Sequence, residues 1–373
     1  MSDSKIAKIE IRACKGGNLS DAIDPVDAVK LPGGSRPDFT VITLTTVDGV
    51  TGTSFGFGAL DSKVAAATMS QVKPFFLGRS AHDASKNMKD FELFDRRWNH
   101  VPIYSYAPFD NACWDIVGKM AHQPVYRLLG AAREKVPVYV SSMFLPGPQE
   151  YVDQALEVKA KGYHGYKLHP PGELNLDLEC YRAVREAVGS DYTLMADPVI
   201  SYTYEQALIA GRELEKLGYR WLEEPLLDVN FNGLRKLREK LDIPICGTEV
   251  VAGTHYSTAH YIKEGLVDIV RTDVSWRGGI TAVMKTAHVA EAFGVQCELH
   301  TTIYHGLEQV QVHPSLAITN CEFFETLYPT EDYEFGTKTK LNIENGYLTA
   351  PKGEGLCIEY DWDFIDSHTV SIF

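Results

Sequence analysis

Three acidic residues occur at equal intervals in this chain, each at the end of a short apolar run. Asp197 lies in TLMADP, Glu223 in WLEEP and Glu249 in PICGTE, so consecutive acids are 26 residues apart. A site built of carboxylate oxygens favours a hard cation such as Mg²⁺ or Mn²⁺. Taken one at a time, each acid is equally typical of an exposed surface carboxylate. As an evenly spaced set, the three predict a metal site.

Lys167 and His169 stand two residues apart in the segment GYKLHP. Alternate residues of a strand share a face, so both side chains are expected beside the strand that carries Asp197. A lysine near a bound cation has a lowered pKa, which suits a general base or a carboxylate clamp, and histidine exchanges protons near neutral pH. On its own, a K-x-H pair is more typical of a structural lysine and a hydrogen-bonded histidine at the edge of a fold. Beside a metal site, the same pair indicates proton transfer.

Asp273 and His300 end two further apolar runs, DIVRTD and VQCELH. A carboxylate on the strand beside a histidine fixes the imidazole tautomer and stabilises its protonated form, so the two predict an acid–base pair. His305 and His313 follow the strand and are interpreted as ordinary residues. The sequence has no local signature of a Ser/His/Asp or Cys/His nucleophile and no phosphate-binding loop of Walker type.

A final strand is predicted within AITNCEFFE (317–325), which offers Glu322 and Glu325. Their odd separation places the two side chains on opposite faces, so only one of them can point inwards. Glu325 is preferred as the last charged residue of that strand.

These residues require a scaffold that gathers many strand ends, and residues 131–325 have the pattern of one. Strand-like and helix-like segments alternate, which predicts a parallel sheet, and one strand plus one helix of a barrel takes about 30 residues. The spacing of the acids therefore predicts successive strands of a TIM-type barrel, with the acids at its C-terminal rim. The predicted strands are VPVYVSS, GYKLHP, TLMADP, WLEEP, PICGTE, DIVRTD, VQCELH and one within AITNCEFFE.

The ends of the chain have other patterns. Residues 1–130 predict an α+β domain, with strands in IAKIEIRAC and FTVITLTTVDGVTGTSFGFGA, a long Gly-, Pro- and Asp-rich loop between them, and helices from residue 62. Residues 326–373 are too short for a domain. We expect this tail to be irregular apart from a hairpin and to pack back on the N-terminal domain.

Composition limits the function classes. The 373 residues are 45% hydrophobic and 23% charged, as in ordinary globular proteins, and no apolar run has membrane-spanning or signal-peptide character. A formal net charge of −14 argues against non-specific binding to nucleic acid. Seven cysteines without a C-x-x-C pair favour a reduced, cytoplasmic protein.

The ordered set of motifs resembles the enolase superfamily, and within it the mandelate racemase subgroup, over nearly the full length. The resemblance rests on K-x-H in place of K-x-K, on LMADP, LEEP and GTE, on DVSWRGGIT with ELH, and on YAPFDNACWDIVGKMAHQPVYRLLG, which is similar to the helix and linker of that family's capping domain. It implies an N-terminal capping domain over a modified (β/α)₇β barrel.

The resemblance also implies roles. The three evenly spaced acids would hold Mg²⁺, the K-x-H pair would serve one face of the substrate, and His300 with Asp273 the other. Glu325 would hydrogen-bond the second oxygen of the substrate carboxylate. Two departures from the family pattern stand out. His169 occupies the position of the usual base, so which member of K-x-H takes the proton stays open, and Val199 stands where the family often has Asn.

The implied reaction begins with removal of the proton α to a carboxylate, which gives an ene-diolate. A polar loop containing Asn18, Ser20, Asp21, Asp24 and Asp27 favours a sugar acid as substrate. We expect β-elimination, either by an acid-sugar dehydratase or by a cycloisomerase that opens an anhydro or lactone ring. The alternatives are a racemase or epimerase and, from another class, a non-catalytic sugar-acid binding protein. Relatives in this subgroup are often oligomers, which implies a homo-oligomer.

Overall fold

The computed structural model describes residues 4–16, 38–58, 61–301 and 305–373, and of His305 the backbone alone. The strands are β1 Ile6–Cys14, β2 Phe39–Thr46, β3 Thr51–Phe57, β4 Lys135–Ser141, β5 Gly165–Leu168, β6 Thr193–Ala196, β7 Leu222–Glu223, β8 Ile245–Gly247, β9 Ile269–Thr272, β10 Gln296–Leu299, β11 Phe324–Leu327, β12 Ile343–Glu344, β13 Tyr347–Thr349 and β14 Thr369–Ile372. The helices are α1 Ser62–Ser70, α2 Lys73–Phe76, α3 Ala84–Phe94, α4 Ala107–Met120, α5 Val125–Leu128, α6 Pro148–Ala160, α7 Leu174–Val188, α8 Tyr204–Lys216, α9 Phe231–Lys240, α10 Thr254–Lys263, α11 Gly279–Ala292, α12 His305–Ala317 and α13 Trp362–His368. Among the described residues, no helix is long and apolar enough to cross a membrane.

Strands β4 to β11 form the predicted barrel. Each strand from β4 to β9 pairs in parallel with the next strand along the chain, and the series ends at β10. At the other side, β11 pairs in parallel with β4, and Cys297 of β10 donates its backbone N–H at 2.8 Å to the carbonyl of Asn320, in the segment that leads into β11. One helix from α6 to α12 follows each strand except the last, so the expected (β/α)₇β order is confirmed.

The lower part of the barrel interior is an apolar floor beneath the functional side chains. Period-2 alternation places an apolar residue two positions before a polar one on several strands. The floor consists of Tyr139, Met195, Trp221, Cys246, Ile269 and Phe323, all buried. Its packing fixes the height at which the next layer of side chains lies.

The expected position of the last strand is wrong. Strand β11 begins at Phe324 and ends at Leu327, so most of AITNCEFFE lies before it. Glu298 of β10 accepts the backbone N–H groups of Glu322 and Phe323 at 2.8 and 3.2 Å. A side chain therefore satisfies backbone groups that a strand partner would otherwise bind.

The N-terminal domain has a four-stranded antiparallel sheet in the order β14-β1-β2-β3, covered by helices α1 to α4. Its outer strand β14 comes from the end of the chain and pairs antiparallel with β1. The tail also contacts the barrel, because β13 pairs with β4. Helix α13 and strand β14 were not expected from the sequence.

Helix α4 attaches the N-terminal domain to the barrel at the start of α11. The carboxylate of Asp110 accepts the backbone N–H and the hydroxyl of Thr281 at 2.8 and 2.7 Å. Asn111 donates to the carbonyl of Val274 and accepts from the N–H of Ile280, both at 3.0 Å. These buried contacts hold both ends of the loop that follows β9.

We expect Asp110→Ala to lower the free energy of unfolding by about 1–3 kcal/mol, because it leaves the buried N–H of Thr281 without its acceptor. Urea denaturation monitored by circular dichroism measures the change. Asp83→Ala is the control, since Asp83 precedes α3, is exposed and makes no side-chain cap hydrogen bond. Equal losses in the two variants would contradict the importance of this contact.

Candidate active site

The three evenly spaced acids converge at the C-terminal ends of adjacent strands. Asp197 follows β6, Glu223 ends β7 and Glu249 follows β8. One carboxylate oxygen from each lies within 4.8 Å of the other two, so a single cation could contact all three.

The backbone around these acids is in an uncommon conformation. Val199, Ile200, Glu224 and Thr248 have φ values of 47°, 63°, 36° and 81°. Residues with side chains rarely adopt positive φ, and such strain concentrates at functional sites. Three of the four are β-branched, for which the strain is greatest. The backbone beside these acids is therefore locally strained, and this strain accompanies the placement of the acidic side chains at the strand ends.

The electrostatics of the three acids fit a cation. Burial raises the pKa of Glu249 to about 8; His300 opposes this rise, whereas Asp197 and Glu223 add to it. Burial also raises the pKa of Asp197, but Lys167 and His169 outweigh it and hold that pKa below its usual value. A cluster of oxygen donors in which one acid resists ionisation is the donor set expected for a hard divalent ion.

Lys167 lies at the centre of the barrel and contacts three carboxylates. Its Nζ is 3.3 Å from Asp197 Oδ2, 2.9 Å from Glu223 Oε1 and 2.8 Å from Glu325 Oε1. Burial lowers the pKa of Lys167, but Glu223 and Glu325 outweigh it and hold that pKa well above its usual value. We expected a lowered pKa from a bound cation; the protein's own carboxylates act in the opposite direction.

His169 lies at the Asp197 end of the cluster. Its Nδ1 donates to the carbonyl of Ser142 at 2.5 Å, which leaves Nε2 directed into the site, 3.1 Å from Asp197 Oδ2. The backbone N–H of His169 also donates to the hydroxyl of Ser142 at 3.0 Å. The aromatic ring of Phe144 packs against the imidazole, with 5.4 Å between ring centroids. These contacts fix the orientation of the imidazole.

His300 lies at the opposite, Glu249 end of the cluster. Its Nδ1 donates to Asp273 Oδ2 at 3.2 Å, and its Nε2 is 3.3 Å from Glu249 Oε1. The other Asp273 oxygen accepts the N–H groups of Ser275 and Trp276, both at 2.6 Å. Burial lowers the pKa of His300, but Glu249 and Asp273 outweigh it, so the net direction is upwards. The site therefore favours the protonated form of this imidazole.

Lys167, Glu223, Arg271 and Glu325 form a closed ring of alternating charges, here called the charge ring. Glu223 Oε1 is 3.0 Å from Arg271 Nε, and Arg271 Nη2 donates to Glu325 Oε2 at 2.5 Å. The two contacts of Lys167 with these acids close the ring. Its members come from β5, β7, β9 and β11, which is the pattern of a barrel layer built from alternate strands.

The other predicted site residues lie as follows. Glu322 is partly exposed and pairs with Arg220 outside the barrel, so Glu325 is the acid that faces the interior. His313 is buried, accepts from the N–H of Tyr126 and donates to the carbonyl of Leu356. The side chain of His305 lies outside the described residues, as does the expected polar loop with Asn18, Ser20, Asp21, Asp24 and Asp27.

Two site residues were missed from the sequence. Arg271 lies in β9, two positions before Asp273, and the same-face rule applied to Lys167 and His169 would have placed it in the barrel. Trp276 stacks on the His300 imidazole, with ring centroids 4.9 Å apart and planes 23° apart. No strand periodicity extends into the loop that holds Trp276, so no local pattern predicts this contact.

The chain is similar to known proteins over both domains. Residues 150–364 match the family described as enolase C-terminal domain-like, and residues 29–130 match the mandelate racemase / muconate lactonizing enzyme N-terminal domain. An arabinonate dehydratase of Saccharolobus solfataricus is 29% identical over 89% of this chain and 91% of that protein. A D-galactarolactone cycloisomerase of Agrobacterium fabrum is 30% identical over 73% of this chain and 75% of that protein.

One solved structure is similar over nearly the whole length. The D-glucarate dehydratase from Agrobacterium tumefaciens, complexed with magnesium, superposes with a TM-score of 0.89 and 32% sequence identity, and covers 99% of this chain and 100% of that one. Both the N-terminal domain and the barrel described above are therefore features that the two proteins share.

We expect Mg²⁺ to stabilise the protein, by about 2.7 kcal/mol at a concentration one hundred times the dissociation constant. Glu249→Gln should weaken Mg²⁺ binding at least about tenfold, since a tenfold change needs a loss of only about 1.4 kcal/mol. Titration calorimetry and thermal unfolding measure both effects.

Glu224→Gln is the matched control. Glu224 is the buried acid next to Glu223, and it accepts the N–H of Glu249 rather than joining the three-acid cluster. A glutamine there keeps an acceptor for that N–H, so Mg²⁺ binding should be nearly preserved. Equal weakening in both variants, or no response of the wild type to Mg²⁺, would contradict the assignment.

Proposed function

Because the chain belongs to the mandelate racemase subgroup of the enolase superfamily and is an enzyme, a lyase or isomerase, we propose that it catalyses β-elimination from a sugar acid. The reaction starts with removal of the proton α to the carboxylate. It ends with loss of a β-oxygen, which is water in a dehydratase and a ring oxygen in a cycloisomerase.

The observation that carries this proposal is the position of two imidazoles at opposite ends of one acid cluster. His169 Nε2 lies 3.1 Å from Asp197 and His300 Nε2 lies 3.3 Å from Glu249. A substrate held at the cluster would meet one proton-transfer group on each side. One-sided chemistry, or binding alone, has no need for both.

Asp197, Glu223 and Glu249 would hold the metal ion, for which we propose Mg²⁺. When bound, this ion would supply positive charge to the substrate carboxylate and to the negative charge that develops as the α-proton leaves. The charge balance of the site supports the proposal of a bound divalent ion. Five carboxylates converge there in the described part of the chain, whereas its permanent cations are Lys167 and Arg271. A divalent ion and a protonated imidazole together would balance the excess negative charge.

We assign the base to His169. Its Nδ1–H is committed to the Ser142 carbonyl, so the lone pair of Nε2 is the one directed at the substrate. Lys167 is a poorer base, because Glu325 favours its protonated form. As an ammonium group it stabilises the negative charge that develops on the substrate carboxylate.

His300 is the acid of the second step. The contacts of Asp273 hold its Nδ1–H, so the proton on Nε2 is available to the leaving oxygen. The electron pair left at Cα forms the new double bond, the bond between Cβ and oxygen breaks, and the oxygen takes this proton. The names of the relatives include both outcomes, an arabinonate dehydratase and a D-galactarolactone cycloisomerase.

We expect at least one member of a panel of aldonic, aldaric, anhydro-sugar and lactone acids to lose its α-proton in the presence of Mg²⁺. Mass spectrometry in deuterated water measures exchange and product together, with EDTA-treated enzyme as the control. Exchange with loss of water or ring opening supports elimination, whereas exchange with inversion alone would identify a racemase or epimerase. No exchange with any acid would contradict the enzymatic proposal.

The two imidazoles should separate the half-reactions. We expect His169→Asn to abolish α-proton exchange, because asparagine keeps a donor near Ser142 but loses Nε2. His300→Asn should retain exchange while product formation falls by about 10²- to 10⁴-fold, the usual contribution of a general acid. Full turnover in His300→Asn, or retained exchange in His169→Asn, would contradict the assignment.

A further inference from the structure

Arg271 is fully buried inside the barrel and binds two acids that have different tasks. Its guanidinium contacts Glu223, a proposed metal ligand, through Nε at 3.0 Å and Glu325 through Nη2 at 2.5 Å. Its Nη1 also donates to the Tyr139 hydroxyl at 3.1 Å and to the Leu299 carbonyl at 3.4 Å. A planar fork of donors is suited to such fixed, multiple contacts, and a lysine could not reproduce them.

Glu325 receives charged or polar donors on both of its oxygens. Lys167 Nζ lies 2.8 Å from Oε1, while Oε2 accepts from Arg271 at 2.5 Å and from the backbone N–H of Thr301 at 2.7 Å. Oε2 therefore accepts two hydrogen bonds, and Oε1 lies in an ion pair with the Lys167 ammonium group. A carboxylate held as an anion in this way has no proton to offer a substrate carboxylate. This geometry does not fit the role in which Glu325 hydrogen-bonds the substrate.

We infer that Arg271 is a positioning residue, which holds Glu325 as the fixed anion that places the ammonium group of Lys167. This inference rests on the proposed function, because Lys167 matters only if negative charge develops on a bound acid. Arg271 acts through the charge ring and does not itself contact the substrate.

The closed form of the ring explains why one residue has this effect. Lys167 has two partners in the ring, Glu223 and Glu325, and Arg271 binds both of them. Glu223 would also hold the metal ion, whereas the ion pairs described for Glu325 are both with members of the ring, so Glu325 is the partner dedicated to placing Lys167. Without Arg271, Glu325 would keep Lys167 and the Thr301 N–H but lose its strongest fixed donor.

The experiment is a double-mutant cycle of Arg271→Met, Glu325→Gln and both changes together. We expect each single change to lower kcat for α-proton exchange by about 100-fold, the usual effect of a 1 Å misplacement, with a smaller change in KM. The double variant should be no worse than the poorer single variant, since both changes remove one unit. Losses that multiply in the double variant, or an Arg271→Met enzyme within about threefold of wild type, would overturn the inference.

Arg277→Met is the matched control for loss of a buried arginine. Arg277 is equally buried but donates to oxygen atoms of Val251, Thr254 and Thr258 instead of to the ring. Its effect on kcat should multiply with that of Glu325→Gln. Absence of this contrast between the two arginines would also overturn the inference.

Thermal unfolding of the same proteins separates this inference from the proposed function. If the wild type exchanges no α-proton, the proposed function fails, but the double variant should still recover part of the unfolding midpoint that Arg271→Met loses. If Arg271→Met does not fold, Arg271→Lys replaces it in the cycle, because lysine keeps the charge and can reach only one of the two acids. If the decreases in unfolding midpoint of the two single variants add up in the double variant, Arg271 and Glu325 are not coupled and the inference is overturned.

Discussion

The site depends on the burial of four alternating charges inside a closed barrel. Barrels usually fill their interior with layers of apolar side chains from alternate strands. Here one such layer is the charge ring of Lys167, Glu223, Arg271 and Glu325, which rests on the apolar floor. Loss of one partner of a buried pair is costly, because it leaves the other charge uncompensated. The ring therefore ties the position of each charged group to the positions of the other three.

This arrangement links the packing of the barrel to its chemistry. The ring includes one proposed metal ligand and the lysine that would face the negative charge of the reaction, while the two imidazoles lie beside the layer and not in it. The charged groups of the ring, which act through their electrostatic field, are fixed in the interior, where they need little reorganisation during a reaction. Groups that gain and lose protons lie at the rim, with Ser142 and Asp273 as their orienting partners.

Spacing in the sequence predicted much of the fold and the cluster, because a regular repeat of strand and helix brings every strand end to the same rim. It predicted Asp197, Glu223 and Glu249 together, and they do converge. It failed where long-range contacts decide the structure. Strand β14 forms only against β1, more than 350 residues earlier in the chain, and the segment before β11 is held by the side chain of Glu298. Arg271 was missed although alternation along β9 could have indicated it, and its ring partners lie on other strands, where a local pattern does not show them.

The attachment of α4 to the loop after β9 has a consequence for any movement between the two domains. Asn111 holds the carbonyl of Val274, the residue that follows Asp273, and Asp110 holds the first turn of α11. A hinge that opened the two domains along this seam would pull directly on the carboxylate that orients His300. The two domains are therefore joined at this edge, and separating them here would break the buried hydrogen bonds of Asp110 and Asn111.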